Sequence, residues 1–313
     1  MRVLACPASL KGSLSAVTAA EALAAGIRRV EGVEAVELPV ADGGEGTLEV
    51  LARARGGSWR EADVHDAFGT PRRARWLELD DGRAAVEAAE AIPLDPERLG
   101  PRRASSRGLG ELLAQIGRPP ELLVGLGGTA NVDGGVGMRE VVAELPAPTR
   151  VACDVRSPLA DAARVFAPQK GASPAEAAEL EARLLALPEL APYAELPGAA
   201  AAGGLGAALA ALGAELVPGA ALVLDEVGFD PAGFDLVVTG EGTVDRTTAA
   251  GKAPAEVARR CRALGVRCVV FGGRVLGPVD GAETVGLSGD PARAADDLAV
   301  LGQRLADQLR VDA

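Results

Sequence analysis

The chain has 313 residues and a formal net charge of −12, which argues against a nucleic-acid binder, whose surface normally carries a basic face. An acidic protein can still present a local positive cluster, so an anionic small ligand remains open. The single histidine, His65, excludes a His-based triad and a multi-His metal site, and Cys6, Cys153, Cys261 and Cys268 form no CxxC pair or metal-ligand spacing, so they read as reduced and mostly buried.

The N-terminal run Met1-Arg2-Val3-Leu4-Ala5-Cys6-Pro7 is too short for a signal peptide. Glycines and charges break the alanine-rich stretches well before the ~18 apolar residues of a membrane span. A cytoplasmic location with no membrane partner is expected. Val3–Cys6 reads as a buried strand. Leu14, Val17, Ala20, Ala24, Ile27 and Val30 then recur at spacings of three and four, which predicts an amphipathic helix capped by Ser13 or Ser15. Val36–Val40 is a second strand, followed by Ala41-Asp42-Gly43-Gly44-Glu45-Gly46 and a helix through about Arg55. This alternation predicts a parallel sheet.

Trp59–Val64, Arg73–Leu79 and Arg83–Ala88 read as strands joined by turns at Ala67-Phe68-Gly69 and Asp80-Asp81-Gly82, an antiparallel element of another domain. Leu109–Ile116 is a predicted helix. Leu122–Leu126 is an apolar strand entering the Gly127–Gly137 loop. Arg150–Val155 is a strand carrying Asp154, and a Pro/Ala-rich helical stretch runs on to Leu190. Ala199–Leu212, rich in small residues, predicts a closely packed helix. Phe234–Thr239 is a strand entering Gly240-Glu241-Gly242. Ala255–Ala263 is a helix with Pro254 at its first position. Val266–Phe271 is a strand entering Gly272-Gly273, and a helix spans Ala294–Leu309. No repeat or disordered linker is visible. The expected organisation is an α/β fold: a Rossmann-like domain from residues 1–57, 101–140 and 228–313, with a second α/β domain from 58–100 and 141–227.

The lysines add a second kind of signal. Lys11, Lys170 and Lys252 are the only three, against 29 arginines (32 Lys+Arg less 3), and each adjoins a glycine. A compact, flexible ammonium differs from a planar guanidinium. A lysine kept in such a background suggests a tight space beside a phosphate or carboxylate. Asn131, the only asparagine, lies inside Gly127-Gly128-Thr129-Ala130-Asn131-Val132-Asp133-Gly134-Gly135.

Four strand-to-loop junctions place charge beside glycine, and in open parallel sheets ligands bind outside the carboxyl ends of strands. In Pro7-Ala8-Ser9-Leu10-Lys11-Gly12-Ser13, Lys11 precedes a helix start. In Asp42-Gly43-Gly44-Glu45-Gly46-Thr47, Asp42 and Glu45 suit a catalytic base or a Mg²⁺ ligand, or a plain turn. The Gly127–Gly137 loop, with Asn131 and Asp133 among five glycines, has a phosphate-cradling composition. In Thr239-Gly240-Glu241-Gly242-Thr243-Val244-Asp245 and Gly251-Lys252-Ala253-Pro254, Glu241 and Asp245 can hold a metal and Lys252 a phosphate. Ala253 excludes a Walker A loop. His65 and the pairs Arg72-Arg73 and Arg102-Arg103 read as surface residues.

In order, these words resemble the type-1 glycerate kinase family: Pro39-Val40-Ala41-Asp42-Gly43-Gly44-Glu45-Gly46-Thr47, Gly127-Gly128-Thr129-Ala130 with Asp133-Gly134-Gly135, Ala152-Cys153-Asp154-Val155, Pro168-Gln169-Lys170-Gly171-Ala172, and Thr239-Gly240-Glu241-Gly242 with Gly251-Lys252-Ala253-Pro254. The resemblance implies ATP-dependent phosphorylation of D-glycerate to 2-phosphoglycerate with Mg²⁺. It also implies a Rossmann-like domain plus a second, inserted α/β domain, with the active site in the cleft between. The alternatives are a kinase of another small hydroxy acid, or an inactive ligand-binding relative. Ala8 favours the last, because the family usually has Asp there. Leu109 stands where a Gly-Thr-Gly is expected around Gly108 and Gly110, and Ala167 replaces the Gly before Pro-Gln-Lys. The roles implied give Gly127, Gly128, Thr129, Asn131, Gly240 and Lys252 to ATP. They give Glu241, Asp245, Asp133 and Asp154 to Mg²⁺. Lys11 and Lys170 would neutralise the substrate carboxylate or the moving phosphoryl group, and Asp42, with Glu45, would act on the attacking hydroxyl.

Overall fold

The computed structural model describes residues 1–249 and 251–311. Its strands are β1 (Arg2–Ala5), β2 (Glu34–Glu37), β3 (Ser58–His65), β4 (Pro71–Glu78), β5 (Ala84–Glu87), β6 (Leu122–Gly125), β7 (Thr149–Cys153), β8 (Glu215–Pro218), β9 (Leu236–Val244), β10 (Arg267–Val275) and β11 (Glu283–Gly286). They fall into two compact units. The first holds Met1–Asp42, Glu49–Ala54 and the described residues from Val223 onward; the second holds Gly43–Leu48 and Arg55–Leu222.

The first unit carries a five-stranded, wholly parallel sheet in the order β11-β10-β9-β1-β2. Counted within the unit this is 2-1-3-4-5, a doubly wound order whose direction reverses between β1 and β9. Helix Ala16–Ile27 starts at Ser15, whose hydroxyl accepts the Thr18 N–H at 3.2 Å. Its apolar stripe packs with helix Ala294–Val311 over Val3, Ala5, Leu236, Val238, Val269 and Phe271. The two helices touch through glycine. A Cβ on Gly26 would lie 1.9 Å from the Ala299 carbonyl oxygen, and one on Gly302 2.3 Å from that of Leu23. Leu4, Val237 and Val270 alternate with the first set and are buried on the other face, where helix Ala253–Ala263 packs on β9 and β10.

Several boundaries differ from expectation here. β9 continues to Val244 and β10 to Val275, and their pairing runs as far as Val275 with Val244. Gly240-Glu241-Gly242 and Gly272-Gly273 therefore lie within strands, not in loops after them. The apolar signal ends at Thr239 because Gly240 sits under Phe271, where a Cβ would come 2.2 Å from the Phe271 carbonyl oxygen. β2 begins earlier than the apolar run Val36–Val40 and ends before Pro39, which has no N–H to donate. Helix Ala253–Ala263 starts two residues before its expected first turn, with Lys252 as its N-cap. β11 and helix Gly219–Glu226 were not anticipated.

The second unit holds a six-stranded sheet in the order β3-β4-β5-β6-β7-β8. β3, β4 and β5 are antiparallel, and β5 through β8 are parallel. The expected antiparallel element is thus the edge of a mixed sheet. Residues 101–140 were expected in the Rossmann-like domain. β6 is buried at all four positions and pairs with β5 on one side and β7 on the other, so this stretch folds with the second unit. Helix Arg107–Leu113 buries Leu109, Leu112 and Leu113, with Gly108 against the His65 carbonyl. Helix Pro174–Leu185 begins with a capping box of Ser173 and Glu176. β8 was also not foreseen.

The small-residue stretch is Ala201–Ala211, but Ala202, Gly203 and Gly204 are left-handed, so regular helix begins only after them. Small residues are required because Gly203 and Gly204 lie on the backbone of Asn131 and Gly134; a Cβ on Gly203 would approach the Asn131 carbonyl oxygen to 2.1 Å. Among the described residues, no helix is long and apolar enough to cross a membrane.

Candidate active site

In the first unit the carboxyl edge of the sheet gathers Lys11, Asp42, Glu241, Asp245 and Lys252. The Lys11 loop follows β1 and closes on β9: the Ala8 N–H donates to the Gly240 carbonyl at 2.9 Å, and a Cβ on Gly242 would lie 3.4 Å from the Lys11 main-chain nitrogen. Gly240 therefore serves strand packing at the reversal point of the sheet. Lys11 is exposed. Glu241 is largely buried. Its Oε1 accepts the Thr248 hydroxyl at 2.6 Å, and its Oε2 faces the Lys252 ammonium at 3.2 Å. Burial raises the Glu241 pKa above the ordinary carboxylate range. Nearby Asp42 adds to the rise, against the lowering effect of Thr248 and Lys252. Asp245 is held low by hydrogen bonds from Thr247, whose N–H and hydroxyl reach its Oδ1 at 2.7 and 2.6 Å, capping the turn Arg246–Ala249.

In the second unit a different cluster lies after β6 and β7. Lys170, 4% exposed, ends a short 3-10 turn, Pro168–Lys170, that follows Ala167. Its ammonium donates to the Asn131 carbonyl at 2.8 Å and approaches Thr129 Oγ1 at 3.5 Å. Burial lowers its pKa to about 8, while the charges of Asp154 and Asp133 oppose the fall. Asp154 is exposed at the end of β7. Asn131 is fully buried. Its amide donates to Asp133 Oδ1 at 2.9 Å and to the Ala202 carbonyl at 3.0 Å, and its Oδ1 has no partner among the described residues.

Asp133 does not offer the free carboxylate expected of a metal ligand. Oδ1 accepts Asn131 Nδ2 and the Gly135 N–H. Oδ2 accepts the Ser106 N–H, the Ser106 hydroxyl and the Gly137 N–H, all five between 2.8 and 3.2 Å. With its lone pairs filled, it organises the loop. The glycines of this loop also answer to packing. Gly134 faces Leu184 and Leu187, Gly135 faces Ala208, Gly137 faces Ser105, and Gly127 lies on Gly44. Gly128 has a φ of 75° and close by it the Ala89 side chain.

The strap Gly43–Leu48 lies over the ends of β5 and β6 within the second unit. The Gly127 N–H donates to the Gly43 carbonyl at 3.4 Å, and Thr47 closes a turn onto the Gly44 carbonyl at 2.7 Å. Glu45 points outward and is exposed. Beneath the strap lies Glu87, 5% exposed, whose Oε1 accepts the Leu48 N–H at 2.8 Å. Glu87, Ser106 and Thr248 were missed from sequence. Glu87 reads as the polar end of a strand, Ser106 as a loop residue, and Thr248 as an ordinary turn threonine. Only the strand end at Glu87, on a parallel sheet, carried a usable signal.

The chain matches the Glycerate kinase family over residues 3–144 and 143–290. It is 37% identical over 309 residues to the glycerate 2-kinase of Escherichia coli K12, covering 82% of this chain and 81% of that one. It is 35% identical over 326 residues to the glycerate kinase of Bacillus subtilis 168, covering 88% and 85%. A crystal structure of a protein designated glycerate kinase 2 from Salmonella typhimurium LT2 superposes with a TM-score of 0.83 at 29% identity, covering 100% of this chain and 99% of that one. Fold and sequence agree along the length of the molecule, and the chain is an enzyme, a kinase, of the glycerate kinase family.

Proposed function

We propose that this enzyme phosphorylates D-glycerate with ATP, giving 2-phosphoglycerate, with Mg²⁺ as the accompanying ion. The observation that carries the reading is the Lys170–Asn131 pair. A buried ammonium of reduced basicity donates to the Asn131 main-chain carbonyl, and the buried side-chain oxygen of the same asparagine has no donor among the described residues. A small hydroxy acid answers both groups, its carboxylate pairing with Lys170 and a hydroxyl donating to Asn131 Oδ1.

Phosphoryl transfer asks a protein for alignment and charge neutralisation more than for covalent help. Lys252 and Lys11, at the reversal point of the first sheet, suit the ATP phosphates. The Asp42 carboxylate accepts the proton of the attacking hydroxyl. The hydroxyl oxygen then bonds to the γ-phosphorus as the bond from that phosphorus to the ADP oxygen breaks.

The donor set also fits Mg²⁺. Among the described residues no three His, Cys, Asp or Glu side chains form a cage. Mg²⁺ commonly takes one or two carboxylates together with substrate phosphates and water. Glu241, whose charge is opposed by Asp42, is the carboxylate that would hold it. Bound there, the ion supplies charge neutralisation for the phosphates.

The test is a coupled assay of ADP release with D-glycerate and a panel of other small hydroxy acids, on wild type, Lys252→Ala and Asp42→Asn. D-glycerate should be the preferred substrate, and both variants should be slower by about a hundredfold or more. Equal rates in all three proteins would refute the site assignment. Release driven by another hydroxy acid in place of D-glycerate would refute the substrate.

A further inference from the structure

Glu87 is a buried acid with no part in the reaction described above. It ends β5, and the strap Gly43–Leu48 crosses it. Its carboxylate accepts the N–H of Leu48 at 2.8 Å and the N–H of Gly46. Leu48 is a first-turn donor of helix Thr47–Arg55 that its own helix leaves unpaired, and Gly46 immediately precedes that helix. Glu87 thus caps that helix from a strand 39 residues away in sequence.

The strap has little freedom once this cap is made. Its Gly43 lies on Gly125 and Ala152, where a Cβ on Gly125 would fall 2.6 Å from the Gly43 carbonyl oxygen and one on Gly43 2.6 Å from the Ala152 Cβ. Gly43 and Gly46 have φ of 89° and 91°, left-handed values that glycine adopts without strain. A serine or an amide would cap the helix without burying a charge. Burial instead raises the Glu87 pKa to about 7, and the carboxylates of Glu90 and Glu45 push in the same direction. Glu90 is paired with Arg75 at 2.8 Å, so that cation is already engaged. The chain therefore keeps an expensive group where a cheaper one would serve a purely structural end.

We propose that Glu87 is a positioning residue for phosphoryl transfer: its carboxylate fixes the Gly43–Leu48 strap and so orients Asp42 and Glu45, which flank the strap's glycine pair. This rests on the assignment of Asp42 given above. The ionised form accepts both N–H groups, so it is the form that holds the strap.

The experiment compares wild type, Glu87→Gln, Glu87→Asp and Asp42→Asn in kcat and KM for D-glycerate and ATP between pH 6 and 9, with thermal unfolding midpoints on the same samples. Glu87→Gln should lose about ten- to a hundredfold in kcat. Its KM for ATP should change little, and at pH 8 its midpoint should equal or exceed wild type. The rise of kcat through about pH 7 in wild type should flatten in Glu87→Gln. Glu87→Asp, ionisable but one methylene short, should recover part of the rate. Wild-type kcat in Glu87→Gln at every pH would overturn the proposal, as would a loss of rate matched by a fall in its midpoint. A wild-type rate in Asp42→Asn would instead overturn the assignment of Asp42.

Discussion

Replacing Lys170 with methionine separates function from stability. The lysine is buried, and its pKa falls from the ordinary 10.5 to about 8. At about 1.4 kcal/mol per pH unit, holding it charged at pH 7 costs the fold about 3 kcal/mol. Methionine removes that cost and keeps most of the stem's packing. The change also leaves the Asn131 carbonyl without its 2.8 Å donor, a loss of about 1–2 kcal/mol. Lys170→Met should therefore be as stable as wild type at pH 7, or more stable by about 1–2 kcal/mol. The sign of the pH dependence follows from a folded pKa below the unfolded one. Between about 8 and 10.5 the unfolded chain holds the proton more tightly, so wild type gains stability as pH rises across that window. The variant lacks this gain, and its advantage should shrink. Urea unfolding at pH 7 and at pH 10, beside steady-state kinetics, reads both effects. The kcat/KM for D-glycerate should fall by about a hundredfold or more, the scale expected when one partner of a buried charge pair is removed. A variant with wild-type kcat/KM, or one destabilised by more than about 3 kcal/mol at pH 7, would refute the reasoning.

Two further predictions concern the frame of the same cluster. Asp133→Ala strands five donors on Ser106, Asn131, Gly135 and Gly137 and should cost about 3–5 kcal/mol in urea unfolding; a loss below about 1 kcal/mol would show that the loop does not depend on it. Ala202, at a φ of 51°, is the one non-glycine left-handed residue among those described. Ala202→Gly relieves that conformation and should stabilise the protein by about 1 kcal/mol, read as a higher urea midpoint. An unchanged or lower midpoint would contradict the strain.

How much of this was legible in the sequence depended on how far apart the partners lie. The parallel sheet of the first unit follows from local alternation: Val3–Cys6 and the stripe from Leu14 to Val30 each declare their period. The family resemblance was legible too, because its words keep order and spacing along the chain. β9 was read short because Gly240-Glu241-Gly242 is a polar strand end, stabilised by pairing with β10 and by Phe271 lying over Gly240. Asp133 reads from sequence as a metal ligand, and its role as acceptor of five hydrogen bonds was not legible because two of those donors come from Ser106, 27 residues away. Glu87 stayed hidden for the same reason. Its strap and its burial come from residues 39 positions distant. The glycines after β6 suggested a cradle for phosphate, yet most meet leucine, alanine or backbone. Composition reports that close approach is needed and does not report to what.

The central claim is most directly tested by NMR identification of the product formed from D-glycerate and ATP in the presence of Mg²⁺. The account predicts D-glycerate-dependent ADP release with 2-phosphoglycerate as the phosphorylated product. Exclusive formation of 3-phosphoglycerate, or no D-glycerate-dependent product at all, would contradict it.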